Sequence, residues 1–219
     1  MTFEELKKNP FVLEFIIQTE ITLRLHNYTD HGLGHSELVA RRARTLAKEI
    51  GFSKRIQELT AIAGFCHDFA NFLSRTYHNY LGALVFQQIF IKDFPPKELT
   101  LIIQAIANHD KYEMRFSNPI SAILVLADKS DVRRSRVKVK DKNLITTDLH
   151  NRVNFAVKTS KLKVNKRKKK ITLNLKIDTN FVPVMEYFEI FTERMVYCRK
   201  AAQYLGYQFG LVINHFKLL

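Results

Sequence analysis

Cysteine is scarce in this sequence: only Cys66 and Cys198 occur, and they form no spaced framework. That excludes a disulfide-stapled scaffold and makes a reducing, cytoplasmic setting the expectation. Glycine and proline are also few, at seven and five among 219 residues, while 46% of the residues are apolar. A disordered or low-complexity chain is thereby excluded, and a globular, helix-rich one is expected. Every apolar stretch is interrupted well short of the roughly 20 residues of a membrane span, so a soluble protein with no membrane partner is expected. A charged-then-apolar leader is missing as well; MTFEELKKNPFVLEFIIQ reads as an amphipathic helix. This length buries a sizeable core, as one large domain or one plus a small appendage.

Acidic side chains are what the second part of the chain has least of. Residues 1–130 hold 15 Lys and Arg against 14 Asp and Glu, whereas residues 131–219 hold 20 against 7. Nearly all of the formal charge of +14 therefore lies after residue 130. A basic half beside a neutral one points to anionic partners: phosphate, nucleic acid or an acidic surface. Lys166, Arg167, Lys168, Lys169 and Lys170 form the sharpest run. It reads as a solvated hairpin tip, because it lacks the aromatics that stack nucleobases. Contact with a phosphate backbone stays open.

Before residue 130 the apolar spacing is helical almost throughout. HSELVARRARTLAKEI, KRIQELTAIAGFCHDF and HNYLGALVFQQIFI each predict a helix, the first stopped by Gly51. Pro96 and Pro119 suit the first turns of PKELTLIIQAIANHD and PISAILVLADKSDVRR, and the AILVLA segment belongs in the core. After Arg136 the period becomes two. RVKVKD, KLKVNKRKKK and ITLNLKID alternate like half-wet strands, with NKRKK as a hairpin tip. A helix over 184–206, with Tyr187, Phe188 and Phe191 as core, and a last strand, FGLVINHF, complete the chain. The fold predicted is mostly α: a helical domain over 1–135, then a small basic α+β unit over 136–219 made of hairpin, helix and strand. A homo-oligomer through that unit is open.

The helical part carries His35, the pair His67-Asp68, His78, His109 and Asp128, each in or beside an apolar helix. An isolated ionisable group is costly there unless it is paired or ligated. Imidazole plus carboxylate is the ligand set of a divalent ion, with Mn, Fe, Co, Ni, Zn and Mg not distinguishable. One ion would use His35, His67, Asp68 and Asp128; a second would share Asp68 and add His78 and His109. Asp110 and Asp131 read as surface, capping or ion-pair groups, and Cys66 as a small core side chain.

The order H…HD…H…H…D, with HSELV at 35–39, CHD at 66–68 and LADKSD at 126–131, resembles the HD superfamily of metal-dependent phosphohydrolases. DHGLGH at 30–35, HDFAN…RTYH at 67–78, ADKSDVRRSR at 127–136 and EYFEIFTERM…CRKAAQYLG further on are similar to its phosphatase/phosphodiesterase branch. The resemblance implies hydrolysis of a phosphate mono- or diester, often of a nucleotide, by metal-activated water. It implies metal ligation by His35, His67, Asp68 and Asp128, with His78 and His109 as extra ligands in two-metal members. A few superfamily members are oxygenases with two irons. Phe69-Ala70-Asn71 stands where cyclic-dinucleotide enzymes carry Gly-Lys, so that substrate is not expected.

Such chemistry needs Asp68 or a nearby His to orient the water, and cations to hold the phosphate oxygens. Arg75 and Lys129 are the best placed of these in sequence, Arg133 and Arg136 could line the mouth, and His31 is a further substrate contact. The expected activity is hydrolysis of a phosphate ester of a nucleotide or related small molecule. The alternatives are a phosphodiesterase acting on nucleic-acid ends, and a non-catalytic nucleotide- or nucleic-acid-binding module with a structural metal.

Overall fold

The computed structural model describes residues 1–139 and 141–219, and helices dominate its first two thirds. The amino-terminal segment expected as one helix is two, α1 (Phe3–Leu6) and α2 (Pro10–Leu25). Pro10 forces the split. It has no amide proton to donate and takes the first position of α2, while Asn9 Oδ1 caps the amides of Phe11 and Val12.

Next come α3 (Leu33–Ile50) and α4 (Lys54–Cys66). Gly51 ends α3 at φ 106°, a left-handed conformation that L side chains rarely adopt, and its amide donates to the Ala47 carbonyl. Ser53 Oγ then caps α4. The two helices touch closely at Gly64, where an added Cβ would lie 3.0 Å from the Ala40 Cα. α5 (His78–Phe90), α6 (Pro96–Asn108) and α7 (Pro119–Lys129) follow, the last two opening on the expected prolines. Every residue of α7 from Ile120 to Lys129 is buried, and the helix packs against α3, α4 and α6. Phe65, Phe69, Phe86 and Phe90 are fully buried in the same core. Truncating one such ring to Ala typically costs about 3–5 kcal/mol.

The described part of RVKVKD, 136–139 and 141, is not a strand; Lys140 lies outside the described residues. Arg136 closes a short 3₁₀ turn (Arg134–Arg136) and sends its guanidinium inward to the carbonyls of Asp30 and Asp131. Its own carbonyl accepts from the Asp30 amide, so this backbone pairs with the loop before α3 rather than with a neighbouring strand. Two short helices follow, α8 (Lys142–Thr147) and α9 (Leu149–Ala156), capped by Asp141 and Asp148.

The hairpin is β1 (Val157–Asn165) and β2 (Lys170–Ile177), joined at the expected basic tip. α10 (Val184–Tyr204) crosses over to β3 (Gln208–Ile213), which runs parallel to β2. The final segment is not one strand: Asn214 and His215 take positive φ and turn the chain back into β4 (Phe216–Lys217), antiparallel to β3. Ile171, Leu173, Leu175 and Ile177 are buried on the inner face of the sheet, and α10 packs on β3, α9 and α7. Arg42 of α3 ties the sheet down, donating to the Ser160 carbonyl (2.7 Å) and to Ser130 Oγ. No helix among the described residues is long and apolar enough to cross a membrane.

Candidate metal centre

Five helix ends meet at one point. The first turn of α3 supplies His35, the residues just past α4 supply His67 and Asp68, α5 opens on His78, α6 closes on His109, and Asp128 sits in the last turn of α7. All six are buried. Each histidine has one ring nitrogen fixed by an acceptor that has no proton to give. Nδ1 of His67 donates to the Gly64 carbonyl (2.8 Å), that of His78 to the Arg75 carbonyl (2.8 Å), and that of His109 to the Ile106 carbonyl (2.6 Å). His35 Nδ1 donates to Asp131 Oδ2 at 2.7 Å. Because Nδ1 holds the proton in all four, a neutral ring presents Nε2 as a bare lone pair.

Those lone pairs face one another. His35 Nε2 lies 3.1 Å from His67 Nε2, and His78 Nε2 lies 3.1 Å from His109 Nε2. Asp68 Oδ2 lies 3.5 Å from His35 Nε2 and 3.2 Å from His67 Nε2, and Asp128 Oδ1 lies 3.4 and 3.5 Å from the same two nitrogens. The other oxygen, Asp68 Oδ1, lies 3.1 Å from His78 Nε2 and 3.3 Å from His109 Nε2. A metal–ligand bond of about 2.1 Å sets neighbouring donors about 3.0 to 3.4 Å apart. Both clusters have that spacing, with Asp68 offering one oxygen to each. The ligand atoms of His35, His67 and Asp128 all lie within 4.8 Å of one another, as do those of His67, Asp68 and His109. These donors fit a divalent ion, and the Nδ1 contacts are the outer hydrogen bonds that orient histidine ligands.

Charge within the cluster is strongly coupled. Burial works against an imidazolium at His67, but Asp68 and Asp128 outweigh it and hold its pKa up at about 10. Burial likewise disfavours the carboxylates of Asp68 and Asp128. His67 and His109 overcome this for Asp68, and Lys129 and His35 for Asp128, holding both well below the usual carboxylate range. Burial lowers His109 and His31, the latter with Arg136 adding to the effect.

Asp131 is an ion-pair group, one of the roles expected from sequence. It is fully buried rather than at the surface, accepting from His35 Nδ1 and from Arg133 Nε (2.8 Å), with Arg136 3.8 Å away. It orients the His35 ring and is the counter-charge of an arginine cluster. Asp110 is the ion-pair group expected: its Oδ1 accepts from Lys129 Nζ at 2.7 Å.

A small polar cavity of about 70 Å³ opens on the cluster, lined by His31, Asp68, Arg75, His78, Asp110, Lys129, Arg136 and Arg194 among others. The structure thus brings His31, Arg75, Lys129 and Arg136 to the site. Lys129 is already neutralised there by Asp110 and by Asp128 Oδ2 (2.9 Å), and so holds Asp128 in place. Arg75 is steadied by Asn71 Oδ1 (2.8 Å), and Asn71 in turn donates to Asp68 Oδ1. Arg133 is not at the cavity: Asp131, Ser135 and the Gly34 carbonyl take its guanidinium. Being two residues beyond Asp131 in an extended turn, it points the other way.

Arg194 is a cavity residue that the sequence reading missed. It stacks over Phe191 (4.7 Å) and makes no hydrogen bond or ion pair among the described residues. Its signal was visible: a lone cation three residues after Phe191 and four before Cys198, within the buried stripe of α10.

Comparison with curated proteins returned no match for the chain. Residues 32–134 match the HD domain family, whose members are generally metal-dependent hydrolases. That stretch contains all six converging side chains. Residues 32–134 are therefore an HD domain, a finding consistent with the HD-domain superfamily of metal-dependent phosphohydrolases.

Proposed function

We propose that this protein is a metal-dependent phosphohydrolase acting on a phosphate mono- or diester of a nucleotide or related small molecule. One observation carries the reading: two pairs of imidazole Nε2 atoms meet at 3.1 Å with a different Asp68 oxygen beside each pair, the spacing of donors around divalent ions. Divalent ions there would supply an activated water, with its pKa lowered from about 15.7 to near 7, and a Lewis acid for the phosphoryl oxygen. The chain's own groups do the rest. Arg75 and Arg194 reach the cavity as cations for the remaining phosphate oxygens. His31, its Nδ1 spent on the Thr29 carbonyl (2.6 Å), offers Nε2 as an acceptor for a water or hydroxyl proton. Lys129 keeps Asp128 turned toward the histidines.

The test is elemental analysis of protein purified without chelator or metal-affinity resin, beside a phosphatase and phosphodiesterase panel with added Mn. Two ions per chain and Mn-dependent phosphate release are expected, with His78→Ala reducing the stoichiometry to one. Two irons without hydrolysis would replace this reading by an oxygenase. Absence of both metal and activity would leave a binding module.

A second reading, action on nucleic-acid ends, is favoured by the sheet. Residues 157–177 carry nine basic and no acidic side chains. Lys161 and Lys163 of β1 pair with Asn174 and Thr172 of β2, giving a polar, basic outer face. Arg41, Lys161 and Lys163 also line a groove between α3 and β1, which begins at Leu38, about 4.5 Å along α3 from His35 by helical rise. Oligonucleotide binding that weakens steeply with salt would support this reading. Indifference to oligonucleotides would remove it.

A further inference from the structure

A surface helix normally buries one apolar stripe and turns polar side chains outward. α3 does so: its exposed positions beyond Gly34 are Glu37, Arg41, Arg44, Thr45, Lys48 and Glu49. α2 does not. Val12, Ile16, Thr19 and Leu23 form its buried stripe. Yet its outer face carries Phe11, Ile17, Ile21 and Leu25, which are 61%, 47%, 48% and 76% exposed. The amino-terminal helix expected to be amphipathic is thus apolar on two faces. Single apolar side chains at a surface need no explanation, but a row of them marks a face that something covers. Tyr28 continues the row past the end of α2, and the neighbouring chain adds Leu33 and Leu73, both exposed. These lie beside α2 because Gly32 passes against Glu20 and the Phe72 amide donates to Thr19 Oγ1 (3.3 Å).

Two charges stand in this face, one toward each end. Glu14 lies one turn after Phe11, and Arg24 one turn before Tyr28. Neither makes an ion pair among the described residues; Glu14 accepts from Gln18 Nε2 on its own helix (2.8 Å). Glu14, Ile17, Ile21 and Arg24 follow the alternating three and four spacing of a helix–helix seam. They are also placed symmetrically about Thr19. A second α2 laid antiparallel, with the two-fold axis at the level of Thr19, sets Ile17 against Ile21 and Glu14 against Arg24, each contact occurring twice. Phe11 then falls about 3 Å from the level of Leu25 of the second copy, by helical rise. A parallel copy would set like charge on like charge. A membrane surface selects helices rich in Lys and Arg beside the apolar face, whereas α2 has Arg24 against Glu14 and Glu20.

We propose that this chain pairs with a second copy of itself through α2, antiparallel about a two-fold axis at Thr19. The seam is apolar at its centre and carries opposite charges at mirror positions, so the face complements itself. The interface lies in the helical part and not in the basic carboxy-terminal unit. It stands whether or not the metal centre hydrolyses a phosphate ester.

The experiment is light scattering on the full-length protein as it elutes from a size-exclusion column, at low salt and over a wide range of loading. The expected mass is twice that of one chain. Ile21→Lys should raise the dimer dissociation constant about 100-fold or more, since the substitution enters the interface twice. Helix content and melting by circular dichroism should stay as in the wild type, the position being half exposed. Glu14→Arg and Arg24→Glu should each weaken the dimer alone, and the two together should restore it. Both sites are exposed, so this pair keeps the test open should Ile21→Lys fail to fold. A wild type that is monomeric at every loading would overturn the proposal. So would a dimer that persists in Ile21→Lys, or one that the double charge reversal does not restore.

Discussion

Asp131 shows how much a single side chain outside the ligand set can control. It fixes the proton of His35 on Nδ1 and gives Arg133 and Arg136 their counter-charge, all with no solvent contact of its own. Replacing it by Asn keeps the shape and removes the charge. Asp131→Asn is expected to lower metal affinity by about 10- to 100-fold, the usual consequence of losing an outer hydrogen-bond partner. Competition against a fluorescent chelator measures this; an unchanged affinity would mean that packing alone holds the His35 ring. The sequence showed His35, His67, Asp68, His78, His109 and Asp128 as ligand types, because ionisable residues in apolar helices stand out. It did not separate Asp131 from the charged KSDVRRSR run around it, and burial made the difference. Arg194 did leave a signal, a cation inside the buried stripe of α10, but only the cavity it lines shows what that cation serves.

Among the helices, the contact of α3 with α4 is the one on which the site depends. It brings His35 and His67 within 3.1 Å, and it is possible because Gly64 has no side chain facing Ala40. A Cβ alone would sit 3.0 Å from the Ala40 Cα, against backbone that cannot move aside as a flexible side chain does. Gly64→Leu is therefore expected to push the helices apart, costing at least about 1–3 kcal/mol of stability by overpacking. Metal binding should weaken with it. Thermal melting and metal titration of the same preparation check the pair of effects; a variant with wild-type values for both would show the helices to be loosely coupled. The helices themselves were readable from period, proline and glycine, as α6, α7 and the Gly51 stop show. The alternation in RVKVKD misled because period two reports a pattern of side chains and not the presence of a partner strand. Arg136 found its partners in the Asp30 loop instead.

For the protein as a single thermodynamic system, the candidate metal centre would link ion binding to pH. His67 is raised to about 10 by Asp68 and Asp128 acting against burial, far above an unperturbed value near 6.5. A proton on His67 therefore contributes stability that is fully present below pH about 6.5 and is lost as pH rises through the folded value. An ion requires the neutral ring, so near pH 7 binding must expel that proton. Apparent metal affinity is expected to be higher at pH 8 than at pH 6, with proton uptake by the buffer visible when titrations in buffers of different ionisation enthalpy are compared. Equal affinities at the two pH values would show that His67 is already neutral. The sequence by itself determined the helical HD architecture, the six ligand types in order and the basic hairpin, because each is written in local spacing and residue chemistry. Tertiary structure alone decided which Asp68 oxygen faces which cluster, that Asp131 and Lys129 steady ligands while Arg133 turns away, and that His31 and Arg194 share one cavity. Those relations join residues as much as 163 positions apart in a chain of 219, and no local pattern can carry a distance that only packing sets.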